Sequence, residues 1–164
     1  MRLVDAEEID RALIRSLAAV VPDEIEVVTA ETVIAQFTEV QRLLFDHVQA
    51  RAGWPRHSGS VVRRRDGEGP SRHVAASYIE PFISGDLLDI DADLTDFESG
   101  IEHLLDEAAD GITEALREPW PRKWFPKPNA KVIADVLTMS FGPLGSPDLV
   151  VPSIDLGRLA YGPT

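Results

Sequence analysis

Three groups of residues have types and spacings that chemistry uses. Asp89-x-Asp91-x-Asp93 matches the opening of a calcium-binding EF-hand loop, where alternate carboxylates wrap a hard cation. The rest of that loop is missing, because Leu94 stands where glycine is required and Gly100 where a bidentate glutamate is required. The alternation of these acids with Leu88, Ile90, Ala92 and Leu94 is strand spacing. Asp135 and Asp155 form the second group. They fall opposite one another if the last hairpin closes symmetrically about residues 142–148. Two carboxylates across a ladder repel unless a cation or shared proton relieves them, the arrangement that general acid/base work or hard-metal binding needs. They are the candidate catalytic pair, and a one-residue slip or a bulge at Pro152 would separate them. The third group is Asp96, Glu102, Asp106, Glu107, Asp110 and Glu114, a candidate partner-binding face along a predicted helix.

Other chemistry is excluded. The chain has no cysteine, hence no thiolate nucleophile, no disulfide framework and no zinc site of the usual cysteine-containing kind. It has no Gly-x-Ser-x-Gly, His-Glu-x-x-His or Walker loop, and Gly67-Glu68-Gly69 is turn chemistry rather than a phosphate cradle. His47 has no second ligand at helical spacing, and Glu102-His103 with Asp106-Glu107 lies on a solvated helix face. No metal and no cofactor is expected.

The elements that position these residues follow from periodicity. Asp5-Ala6-Glu7-Glu8 starts a helix with the stripe Ile9, Leu13, Leu17 and Val20, closed by Pro22. Ile25-Glu26-Val27-Val28 is a short strand. Thr29 or Thr32 caps a second helix whose stripe is Val33, Phe37, Val40, Leu44 and Val48, stopped at Gly53 and Pro55. Ser60–Asp66, Arg72–Glu80 and Asp86–Leu94 then form a three-stranded antiparallel meander. Closing its hairpins symmetrically sets Asp89, Asp91 and Asp93 across from Ser77, Ala75 and His73, and those across from Val61, Arg63 and Arg65. The arginines would thereby neutralise the aspartate row.

Thr95-Asp96-Phe97-Glu98 has the form of a capping box and opens a long helix that Pro119 ends. Phe97, Ile101, Leu104, Leu105, Ala108, Ile112, Ala115 and Leu116 share an arc of about 120° at 100° per residue, with the acids opposite. A connector rich in proline and tryptophan follows. Its Trp120, Trp124 and Phe125, with Arg122, Lys123 and Lys127, make either an aromatic, basic docking loop or a rigid cover over the core edge. Lys131–Phe141 and Leu149–Leu156 close the chain as a hairpin, with Pro152 confining the last strand to an edge or a bulge.

These elements predict an α+β fold: one antiparallel sheet of about five strands, order ααβββαββ, packed by helices on one face. Residues 1–164 read as a single domain, with a helical part (1–54), a meander (55–94), a helix (95–118), a connector (119–129), a hairpin (130–157) and a tail (158–164). The 44% hydrophobic and 27% charged content is that of a globular chain. No run reaches the roughly 18 apolar residues of a membrane span, and the acidic opening departs from a signal peptide, so a cytoplasmic location without membrane association is expected.

Net charge is −12 and unevenly spread. Residues 81–118 hold 12 acids against one arginine, whereas 51–80 hold three acids against six arginines. Such a surface repels phosphate backbones, so nucleic acid is not an expected partner, and attracts a basic protein. Arginine outnumbers lysine 13 to 3, as in GC-rich bacterial genomes. No motif assigns a family. In element order alone the chain resembles small acidic chaperone and toxin-immunity domains, whose sheet and helices bind another protein, and the resemblance implies an inhibitor, immunity or chaperone-like role. The function expected is a non-enzymatic acidic module that binds a basic protein. Alternatives are a small metal-dependent or acid/base enzyme centred on the Asp135 and Asp155 pair, and a structural protein forming a homodimer or larger assembly through the aromatic connector.

Overall fold

The computed structural model describes residues 3–35, 39–40, 59–65, 77–79 and 87–159. Asp5 both ends a short strand β1 (Leu3–Asp5) and caps helix α1 (Ala6–Ala18), its side chain accepting the Glu7 amide at 2.9 Å. Of the expected stripe, Ile9, Leu13 and Leu17 are buried, and Val20 lies beyond the helix end and is half-buried. Strand β2 (Ile25–Thr29) follows, and Thr29 Oγ1 accepts the Thr32 amide at 3.2 Å at the start of α2 (Ala30–Ala35). The remainder of the predicted second helix lies almost entirely outside the described residues. Val40, expected on its buried stripe, is exposed.

The single five-stranded sheet is not formed. Among the described residues there are three separate antiparallel sheets and four helices, a mixed α+β architecture. Strand β3 (Ser60–Arg64) lies between β2 and β4 (Ser77–Ile79). The segment expected as the third meander strand is, among its described residues, a strand only over β5 (Leu87–Asp89), and it pairs with β1, Leu3 opposite Asp89. Alternation specifies which face of a strand is buried and not which strand it joins. The run also breaks early: Ile90 to Ala92 turn, and Asp93 caps helix α3 (Leu94–Leu116) by accepting the Asp96 amide at 3.1 Å. Thr95 is thus inside the helix and is not its cap.

The arginines follow the changed pairing. Glu26 lies directly across from Arg63, and Arg63 Nε donates to Glu26 Oε1 at 2.6 Å, with Arg65 at 3.8 Å from the other oxygen. They are drawn to a glutamate on β2, so the expected register against Asp91 and Asp93 is replaced. Arg64 reaches the Ala115 carbonyl at 3.5 Å, placing a cation at the C-terminal end of α3, which has no basic residue in its own last turn.

The closing hairpin is a three-stranded meander: β6 (Pro128–Ile133), β7 (Val136–Phe141) and β8 (Leu149–Asp155). The extra turn is Ala134-Asp135, with Ala134 at φ 55°. A two-residue turn of this hand ordinarily takes Gly, Asn or Asp at its first position, so an alanine hid it. Short helix α4 (Leu156–Leu159) follows β8.

Helix α3 touches β2, β3 and β4 of one sheet and β6 of another, while α1 touches β2 and β8. Both larger sheets therefore share the same two helices. Phe97, Ile101, Leu105, Ala108 and Ile112 of α3 join Leu13, Val62, Leu137 and Phe141 in one continuous core. Glu98 fastens the helix to the sheet edge. Its carboxylate accepts the Val132 amide at 2.8 Å and lies 3.9 Å from Lys131 Nζ.

Candidate functional site

Because α3 buries one arc against two sheets, its other arc is fixed towards solvent. Asp96, Asp106, Asp110 and Glu114 are exposed, and Glu102 and Glu107 half-buried. All six expected residues therefore share the outer side of one helix. Glu98, Glu102, Asp106, Asp110 and Glu114 recur every four residues, and the helix contains no Lys or Arg. Its one basic side chain is His103, whose Nε2 is 3.1 Å from Glu107 Oε1. Like charges four apart on a helix cost about 0.2–0.5 kcal/mol per pair, so the row weakens the isolated helix while building a negative potential.

At the N-terminal end the row begins with a close carboxyl pair. Asp93 hydrogen-bonds the Asp96 side chain and repels its charge, and both effects raise the Asp96 pKa above its ordinary 3.8. Asp93 was not among the expected site residues. The available signal was its position three residues before Asp96, the spacing of an N-cap to the amide it holds.

At the other end of α3, Thr113 Oγ1 accepts the Trp120 amide at 3.1 Å and donates to the Trp120 carbonyl at 3.3 Å, folding the connector back. The connector divides into two roles. Trp120 is buried, its ring edge-on to Phe141 with centroids 5.6 Å apart. Trp124 and Phe125 are 64% and 58% exposed. Trp124 Nε1 donates to Asp148 Oδ2 at 3.3 Å, bringing the loop beside residues 142–148 and the exposed Leu144.

Asp135 and Asp155 do not face each other across the ladder. Asp155 pairs with Val136, because Pro152 and Ser153 bulge between the pairs Leu137 with Ile154 and Met139 with Val151. Asp135 lies in the turn, where its carbonyl accepts the Leu156 amide at 2.7 Å. Both side chains lie near Gly157: a Cβ there would stand 3.1 Å from Asp155 Oδ1 and 3.7 Å from Asp135 Oδ2. Asp155 holds the Gly157 amide at 3.0 Å, and its other oxygen is 3.4 Å from Arg158 Nε. That is the work of a helix-start residue. Among the described residues no group of three or more His, Asp or Glu side chains converges to hold a metal ion. The crevice between α1 and the start of β3, lined by Leu13, Leu17, Ser60 and Leu104, has room for about one water molecule.

No family model, characterised protein or solved structure matches this chain. No helix among the described residues is long and apolar enough to cross a membrane.

Proposed function

We propose that the chain is a non-enzymatic binding module whose α3 outer face engages a basic protein. The observation that carries this reading is the four-residue recurrence of carboxylates on a helix without Lys or Arg. A rigid row of this kind speeds encounter with a cationic surface and sets register against it, and salt weakens both effects. The helix is held by two sheets, so the row is pre-ordered and binding need not organise it.

The test is capture of a basic protein from the host's own lysate at about 0.05 M salt, its release at about 0.5 M, and its affinity measured with purified components. A variant carrying Asp106→Lys, Glu107→Lys and Asp110→Lys should lose the partner while far-UV circular dichroism and melting show an intact fold. Unchanged affinity in that variant refutes the reading.

A further inference from the structure

Strand β6 begins, β7 ends and β8 begins at one end of their sheet, and two loops, 117–127 and 142–148, meet there. The Gly142 amide donates to the Lys127 carbonyl at 2.9 Å, Asn129 Nδ2 to the Gly142 carbonyl at 2.7 Å, and Trp124 to Asp148. Gly142 has φ +99°, and a Cβ on it would lie 2.9 Å from the Asp148 amide nitrogen, so the closure of loop 142–148 on itself requires glycine. This fixed platform leaves Trp124, Phe125 and Leu144 (68%) exposed, with Phe125 held at φ +49°. Core cover does not account for them, since Trp120 supplies it.

The charge around this apolar group is opposite to that of the chain. Arg117, Arg122, Lys123 and Lys127 outnumber Glu118 and Asp148 in the two loops, in a protein of net charge −12. Two such ends meeting each other would bring cation against cation. The chemistry that fits is an acidic surface, and the outer face of α3, with Asp106, Glu107, Asp110 and Glu114 and no Lys or Arg, offers one.

We propose that loops 117–127 and 142–148 dock on the α3 face of a second copy of this chain, head to tail. The proposal rests on α3 being a binding face, and it implies that a basic partner and a second copy compete for that face. A contact between two different surfaces leaves one loop end and one helix face unused on every pair, so association extends with concentration or closes into a ring.

The experiment is sedimentation equilibrium at about 0.1 M salt, where the Debye length of about 10 Å screens whole-molecule repulsion, and again at about 1 M. The expected result is a mass that rises with concentration at the lower salt and a monomer at the higher. A loop variant (Lys123→Ser with Trp124→Ser) and a helix variant (Asp106→Asn, Glu107→Gln and Asp110→Asn) should each associate at least about tenfold more weakly. Mixed, they should pair, because one keeps an intact helix face and the other an intact loop. Both alter exposed or half-exposed side chains, and melting curves verify the fold. A wild-type monomer at the lower salt, association unaffected by either variant, or no pairing in the mixture overturns the proposal. Binding of a lysine-rich peptide to the wild type, lost in the helix variant, separates the two failures. With such binding only the second-copy inference falls, and without it the reading of the α3 face falls as well.

Discussion

Glu98 is the residue whose removal most directly tests how α3 is held. Its carboxylate is 14% exposed and accepts the Val132 amide at 2.8 Å on β6, an edge strand of its sheet. A hydrogen bond to a charged group contributes about 1.5–3 kcal/mol, and a partly buried amide left without its acceptor costs a similar amount. The nearby Lys131 adds little, because 3.9 Å is at the limit of an ion pair and its side chain is 59% exposed. Glu98→Ala should therefore lower the unfolding free energy by about 2 kcal/mol, and Glu98→Gln, which keeps an uncharged acceptor, by about 1 kcal/mol. Lys131→Ala should cost under about 0.5 kcal/mol. At about 2–4 °C per kcal/mol for a chain of this size, Glu98→Ala should melt about 4–8 °C lower. The assay is urea unfolding at constant slope, with amide hydrogen exchange read at Val132, where protection should fall in Glu98→Ala alone. A loss below about 0.5 kcal/mol with Val132 protection unchanged would refute this account of the helix-to-sheet junction, as would an equal loss in Lys131→Ala.

Three further outcomes are expected. Because Asp93 raises the Asp96 pKa, the folded chain favours the protonated carboxyl, and stability from this pair falls as pH rises from about 4 through the raised value. Asp96→Asn should remove that fall, so its stability relative to wild type should grow with pH and then level off; a flat difference contradicts it. Trp120→Ala should cost about 3–5 kcal/mol in chemical unfolding, while Trp124→Ala should stay within about 0.5 kcal/mol, since one ring is in the core and the other is not. Ala134→Gly should stabilise by about 1 kcal/mol, because the φ of 55° strains a residue with a Cβ; an unfolding midpoint that stays put or moves down would exclude that strain.

Local signals in the chain were legible where one residue answers its own neighbours. Asp5 as a cap, the buried stripe of α1, β2 and the apolar arc of α3 each depend on contacts a few residues apart or on a period that burial must respect. The outer acidic row is the complement of that arc, so it was legible too. The split between Trp120 and Trp124 was not. Four residues apart in a proline-rich loop, they carry no period, and only the packing of Trp120 on Phe141 and the bond that Trp124 donates to Asp148 distinguish them.

What the sequence by itself determined is the buried side of α1 and α3 and the start of α1, because side-chain period and capping act within one element. Which strands pair was decided by the tertiary structure. Leu87–Asp89 joins Leu3–Asp5, Arg63 turns to Glu26, and the bulge at Pro152 and Ser153 moves Asp155 away from Asp135. Each of these pairings is between segments separated along the chain, and alternation is the same whichever neighbour a strand takes. Shape and charge matching between whole surfaces selects among those neighbours, and those surfaces exist only once the chain has folded.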